Sequence, residues 1–242
     1  MPSTVDPGRD TPVRVWTADL TGLADAPSVW RALLDAEERD RLERLRRPED
    51  RASYAAAHVL ARLALATMTD RPAGALAFVR PTGERPRLTA SEMVFSLSHA
   101  DGMAAVAVCP RGPVGIDVER TGRPELADPG VIRLSCSAGE IARLETLPQP
   151  GRAEVFLRLW TAKEAVAKAE GLGLALPFPT IRLTDAEDAA EVREDGRAPR
   201  CWRLWRCRPS AGHELALAWR GAGVVASRSL DVGQLSRWAD AA

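Results

Sequence analysis

The sequence lacks an excess of either charge. Lysine plus arginine and aspartate plus glutamate number 33 each, so no global field draws the chain to nucleic acid or to a membrane surface. Electrostatic recognition must come from local patches. No apolar run approaches the roughly 20 residues that span a bilayer. The opening stretch, Met1 to Asp10, is polar and proline-containing, with no signal-peptide core. The expectation is a cytoplasmic protein without membrane association. Four cysteines (Cys109, Cys136, Cys201, Cys207) form neither a CxxC pair nor a zinc-ligand spacing, which argues against a disulfide scaffold and for reduced thiols. Lysines are very few, and no internal repeat is present. What remains is 242 residues, 45% of them hydrophobic, enough to bury a core in one large domain or two small ones sharing an interface.

Val13 to Leu20 alternates as an opening strand. Asp35-Ala-Glu-Glu38 has the form of a capping box and feeds a charged helix through Leu45; a second helix follows Pro48, with small and apolar residues from Ala55 to Met68. Short strands come near Phe78 to Arg80, Val94 to Ser98, Met103 to Cys109 and Val114 to Glu119. Turn signals at Thr82-Gly83, Ala100-Asp101-Gly102 and Pro110 to Pro113 separate them. Ser137-Ala-Gly-Glu140 is another capping box, opening a helix to about Leu147. A longer helix from about Arg152 to Glu170 stops at Gly171 and Gly173. Strands near Thr180 to Leu183, Cys201 to Cys207 and Glu214 to Trp219 complete the pattern. This order predicts an α+β fold with antiparallel hairpins. The junction falls at Pro110 to Pro113, dividing 1–112 from 113–242.

Three segments carry chemistry. In Gly115-Ile116-Asp117-Val118-Glu119, two carboxylates two residues apart on a strand share a face, and hard oxygens of this kind suit Mg²⁺. Two solvated acids at a strand end would look the same. Trp160-Thr-Ala-Lys163-Glu164-Ala-Val-Ala-Lys168-Ala-Glu-Gly171-Leu-Gly173-Leu174 is a helix ending in a glycine-rich stop. Glu164 and Lys168 lie four apart on one face. They are either a surface ion pair or a metal ligand and base beside a phosphate-neutralising lysine; spacing does not separate the two. Phe95-Ser-Leu-Ser98-His99 ends a strand in a tight turn whose hydroxyl, imidazole and amides could hold a phosphate or serve structure alone. Arg39, Arg41, Arg44, Arg46, Arg47 and Arg51 cluster upstream, as a solvated helix face would.

Together, in this order, these segments resemble the phosphopantetheinyl transferase superfamily, in its larger surfactin-synthetase-activating (Sfp-like) type. That family carries a serine-histidine strand end, a G-[IV]-D-x-E strand and W-x-x-K-E-[AS]-x-x-K-x-x-G-x-G-[LT]. The resemblance runs from about Glu37 to Leu183. It implies two similar α/β halves related by a pseudo-two-fold in one chain: 1–112 binding coenzyme A and 113–242 carrying the magnesium-binding and catalytic motifs. The implied reaction transfers the 4′-phosphopantetheine of coenzyme A to a serine of an apo acyl or peptidyl carrier protein, releasing 3′,5′-ADP. By the same resemblance Asp117, Glu119 and Glu164 hold Mg²⁺, and Glu164 is also the candidate base for the carrier serine, directly or through a water. Lys168 stabilises charge on the bridging or leaving phosphate. Ser98 and His99 contact coenzyme A phosphates; Arg41 stands where the family grips the 3′-phosphate; Arg85 matches the basic residue of its G-[KR]-P segment. Glu84 replaces the usual glycine of that segment, and Glu38 stands where some members have lysine, so Arg41, Arg46 or Arg47 would share that duty. A monomer is implied, since one chain holds both halves.

Two other readings stand beside this one. Arg200 to Arg208 interleaves arginine with tryptophan, as single-strand nucleic-acid platforms do, but also fits a hairpin of Trp202 to Arg208, a turn at Pro209 to His213 and a return strand Glu214 to Trp219. Neutral net charge favours the hairpin. A magnesium-dependent phosphodiesterase could use the same acids.

Overall fold

The chain is described by a computed structural model covering residues 12–81, 85–123, 128–149, 151–184, 186–221 and 223–242. The N-terminal decapeptide, the Thr82-Gly83 turn and Glu84 lie outside the described residues. The elements are β1 (Val13–Asp19), α1 (Ser28–Leu33), α2 (Ala36–Arg44), α3 (Pro48–Thr69), β2 (Phe78–Val79), β3 (Arg87–Leu88), β4 (Val94–Ala100), β5 (Met103–Cys109) and β6 (Val114–Arg120). They continue with α4 (Pro129–Ser135), α5 (Ala138–Glu145), α6 (Gly151–Glu170), β7 (Ile181–Leu183), β8 (Ala189–Val192), β9 (Arg200–Ser210), β10 (His213–Trp219), β11 (Val225–Asp231) and α7 (Val232–Asp240).

Two sheets form the middle of the molecule. The first runs β11-β1-β5-β4 and the second β6-β10-β9-β8-β7, while β2 and β3 make a separate two-stranded ribbon. Strand alternation then builds the layers. In β5, Met103, Ala105, Ala107 and Cys109 point to one core, while Ala104, Val106 and Val108 point to another. The first set meets Val114, Ile116, Val118, Leu215, Leu217 and Trp219 from the second sheet, so the two sheets share an apolar interface. The second set packs under α3, whose alanine-rich body is buried from Ala52 to Leu65. On the far side Ala216 and Ala218 of β10 pack under Ala162, Ala165, Val166 and Ala169 of α6. The result is a mixed helix and sheet protein, layered helix, sheet, sheet, helix.

The capping boxes foreseen at Asp35–Glu38 and Ser137–Glu140 form, each with side chain and backbone bonded reciprocally. The chain passes from the first sheet to the second at Pro110 to Pro113. After β10 it crosses back: β11 adds to the first sheet parallel to β1, and α7 packs onto that sheet's core through Leu235 and Ala239. The sequence reading contains no element beyond Trp219, and it lacks α1, α4, β3 and β8. The arginine–tryptophan segment is the hairpin β9–β10. Trp202 is buried in the α6 core. Three of the four arginines of β9 pair with acids, Arg200 with Glu170, Arg206 with Glu187, and Arg208 with Glu154 and Glu214, while Arg203 lies over the Trp219 ring. Among the described residues no helix is long and apolar enough to cross a membrane.

Candidate active site

The site begins where β6 and α6 touch. Ile116 and Val118 enter the inter-sheet core, so Gly115, Asp117 and Glu119 share the opposite face, toward α6. Gly115 is required by that contact. A Cβ there would lie 2.1 Å from the Ala165 carbonyl oxygen and 2.4 Å from the Ala169 nitrogen, both backbone atoms of α6. Without a side chain the helix settles directly onto the strand. Lys168, one turn past Glu164, then reaches Asp117. The helix ends one turn later, where Gly171 adopts φ 78° and the Leu172 N–H bonds the Ala167 carbonyl (3.2 Å), a left-handed stop suited to glycine.

The two lysines of the chain are both on α6 and do different things. Lys163 is fully buried; its ammonium donates to the Ser135 carbonyl (2.8 Å), Glu140 Oε2 (2.6 Å) and the Phe178 carbonyl (3.1 Å). It fastens α6 to the end of α4 and the cap of α5. Lys168 Nζ donates to Asp117 Oδ1 (2.7 Å) and to Ser98 Oγ (3.0 Å), and the Ser98 hydroxyl donates to the same carboxylate oxygen (2.8 Å). Ser98 comes from β4, the edge strand that borders β6; a second serine there, Ser96, accepts the Ile116 N–H (3.1 Å).

Glu119 and Glu164 complete an acidic cluster. Burial raises the Glu164 pKa to about 7, with Asp117 and Glu119 adding like charge and Lys168 opposing them. Burial and the Asp117 charge also raise Glu119, against hydrogen bonds from Trp160 Nε1 (3.3 Å) and Arg123 Nη1 (3.0 Å). Asp117 Oδ2 is buried and receives no hydrogen bond. Among the described residues no three side chains stand in ready metal-ligand geometry, and the protein's own donors occupy Asp117 Oδ1 and both Glu119 oxygens. The donor set nonetheless suits a hard divalent cation: three carboxylates feeling one another's charge, one with a bare buried oxygen.

Beside this cluster opens a cleft of about 590 Å³ lined by Arg41, Tyr54, His58, Arg80, Arg85, His99, Lys168 and the Gly171–Leu174 stop, among others. Lys168 belongs to both cleft and cluster, so a molecule in the cleft meets the carboxylates at that end. Arg41 makes no ion pair or hydrogen bond among the described residues and is exposed. Arg85 carries a buried Nη1 without a partner. His99 opens to the cleft, but desolvation, with His58, Lys168 and Arg41 nearby, holds its pKa below the ordinary histidine range. Cations with unspent donors define a site for an anion.

Thus Arg41, Arg85, His99 and Lys168 line one cleft, while Ser98 faces the carboxylates with Asp117. Arg46 does not join them: it is exposed, is not among the cleft's lining residues, and its carbonyl accepts from Arg51. Sequence reasoning missed Tyr54, His58 and Arg80. Tyr54 and His58 lie four apart on α3 with rings 4.2 Å apart, and Tyr54 meets the His99 ring edge-on at 6.2 Å. Two aromatic rings at helical spacing in an alanine-rich helix were the signal available.

A family model described as the 4′-phosphopantetheinyl transferase superfamily matches residues 113–218, which hold the whole carboxylate cluster. The 4′-phosphopantetheinyl transferase HetI of Nostoc sp. is 31% identical over 190 residues, spanning 71% of this chain and 80% of that protein. The chain belongs to the 4′-phosphopantetheinyl transferase superfamily. A 4′-phosphopantetheinyl transferase of Bacillus subtilis is 28% identical over 171 residues, 69% of this chain and 75% of that protein. The putative 4′-phosphopantetheinyl transferase slr0495 of Synechocystis sp. is 30% identical over 152 residues, and this chain spans 60% of its length. In this family member, Gly115, Asp117, Glu119, Glu164 and Lys168 come together at a single strand–helix contact.

Proposed function

We propose that this chain transfers the 4′-phosphopantetheine of coenzyme A to a serine of an apo acyl or peptidyl carrier protein. The observation that carries the reading is the Lys168–Asp117–Ser98 cluster, with its bare carboxylate oxygen, at the end of a cleft walled by Arg41, Arg85 and His99. Asp117, Glu119 and Glu164 would hold Mg²⁺, which when bound supplies neutralisation of the diphosphate charge. Arg41 and Arg85 bind the nucleotide phosphates, and His99 donates or accepts a hydrogen bond at the diphosphate. Ser98 and Asp117 hold the Lys168 ammonium where charge develops on the bridging oxygen.

Chemically, the carrier serine oxygen bonds to the β-phosphorus. The bond from that phosphorus to the oxygen bridging toward the nucleotide breaks, and 3′,5′-ADP leaves. The serine proton passes to Glu164. With Mg²⁺ held by the three carboxylates, the burial and like charge that raise the Glu164 pKa would be offset, so the group would be ionised and able to accept the proton at neutral pH. No protein nucleophile takes part.

The surfactin-type assignment, with two similar halves in a monomer, is supported by repeated order. β1, α3, β4 and β5 are matched by β6, α6, β9 and β10, and in each set the first strand pairs antiparallel with the last. On this reading 1–112 presents the cleft's arginines and 113–242 the acids and Lys168. Incubation with coenzyme A, Mg²⁺ and apo-carrier proteins should add one phosphopantetheine mass to a carrier, and Asp117→Ala should abolish the gain. Cleavage of coenzyme A without a modified carrier would replace this reading with the phosphodiesterase one.

A further inference from the structure

We infer that Glu38 is a positioning residue for nucleotide binding: it fixes α2 against α3 so that Arg41 is aimed into the cleft. The inference rests on the reading of that cleft as the coenzyme A site.

The short helix α2 is tied at its start by Asp35, which accepts from Arg62 and Arg80, and by Glu37 beside Arg80, but these lie in or next to its cap. Its buried residues are Glu38 and Leu42. One leucine can dock a helix but cannot fix its rotation. Glu38 can, because both of its oxygens are taken. Oε1 meets His58 Nδ1 (3.0 Å) and accepts from Arg80 Nη2 (2.7 Å). Oε2 accepts from the Asp35 N–H (2.9 Å), Arg62 Nε (3.0 Å) and Arg62 Nη2 (2.7 Å). Arg62, only 1% exposed, also bonds Asp35 and the carbonyls of Ala73 and Leu76. One carboxylate therefore ties α2 to two turns of α3 and to the end of β2. Burial opposes ionisation of Glu38, yet the bond from His58 and the charges of His58 and Arg62 hold its pKa to about 2, so the tie persists at neutral pH.

Arg41 lies three residues on, on the neighbouring face of the same helix. It is the cleft cation of α2 and has no partner among the described residues. Rotation or fraying of α2 would swing it away from the cleft. Where some members of the resembled family place a lysine, this chain places an inward-facing acid and leaves the binding to Arg41.

The test is a double-mutant cycle on transfer kinetics. Glu38→Gln should raise KM for coenzyme A about tenfold, the worth of one charge-assisted hydrogen bond, with kcat at saturation within about twofold. Arg41→Ala should raise KM similarly. The double variant should be no worse than Arg41→Ala alone, because Glu38 then has nothing to aim. Arg80→Gln, which spares the Glu38–Arg62 pair, serves if Glu38→Gln does not fold, and should show a smaller KM rise that vanishes in the Arg41→Ala background. Independent KM effects that multiply, or an unchanged KM in folded Glu38 and Arg80 variants, would overturn the inference. If the unmodified protein transfers nothing to any carrier, it is the functional reading that falls.

Discussion

Asp117 has one oxygen that the protein binds and one that it leaves bare. Lys168 and Ser98 converge on Oδ1, and Oδ2 is buried without a donor. A buried unpaired carboxylate oxygen is costly unless a ligand completes it. Glu164, next to it, shows the same shortage as a raised pKa. In the unfolded chain its carboxyl sits near 4.5, and in the fold near 7. Between those values the folded protein keeps a proton that the unfolded chain has lost, so this group's contribution to stability falls as pH rises, and the penalty is fully present above about 7. Glu164→Gln removes it. In chelator and without ligand, the variant should be more stable than the parent at pH 8, on the order of 1–2 kcal/mol after allowance for partial exposure. At pH 4.5 the two should be nearly equal. Equal differences in melting temperature at both pH values would show that Glu164 is not a strained carboxyl. At this scale the sequence was informative wherever a side chain's placement follows from its own strand or helix. The roles proposed for the cluster came from the resemblance, but the strand face shared by Asp117 and Glu119 and the helix face shared by Glu164 and Lys168 were legible that way. Glu38 was not: its acid looked like a departure from a basic pattern, and its worth appears only when Arg62 and Arg80 arrive from 24 and 42 residues away.

The element that matters most is the β6–α6 pair, and Gly115 sets its spacing. An added Cβ would meet backbone at 2.1 and 2.4 Å, atoms that no rotamer change can move. Gly115→Ala should therefore push α6 outward and cost about 2–3 kcal/mol, at the upper end for an overpacked core. Transfer should fall further than stability, because Asp117 and Lys168 sit on opposite sides of that contact. Gly139→Ala, on α5 with nothing within 4 Å of the new Cβ, is the control: it should leave transfer unchanged and not lower stability, alanine being the better helix former. Wild-type transfer by a folded Gly115→Ala protein would mean the two elements need not be this close. The elements that sequence reading found share a strong local device: a capping box, a glycine stop or clear alternation. Most of those it missed lack one. β11 exposes most of its residues and is held mainly by pairing with β1, which only the fold supplies. α1 spans six residues with no side-chain cap. α7 does carry a capping box, Asp231 with Gln234, but Gly233 in its first turn disguises the start.

At the scale of the whole molecule the cleft is a seam. Arg41 and Tyr54 come from helices on the first sheet, and Arg85 and His99 from β3's approach and β4, while Lys168 and the Gly171–Leu174 stop come from α6 on the second sheet. These pieces are far apart in sequence, so the cleft itself could not be read before folding, although Arg41, Arg85, Lys168 and the neutral His99 beside them could be named. A ligand lying along it touches both layers and is lost when either unfolds, so it should stabilise the protein as a whole. Coenzyme A at 100 times its dissociation constant would add about 2.7 kcal/mol, worth roughly 5–10 °C in melting temperature for a chain of this size. Dephospho-coenzyme A keeps the diphosphate and the pantetheine but lacks the 3′-phosphate. If Arg41 grips that group, dephospho-coenzyme A should protect clearly less at the same concentration, and Arg41→Ala should erase the difference while leaving protection by the shorter ligand intact. Thermal melts of both proteins with both ligands decide it. Equal protection of the unmodified protein by the two would return the arginines of α2 to a solvated helix face and leave Lys168 and Arg85 as the cations that hold the nucleotide, with His99 as a neutral hydrogen-bonding partner.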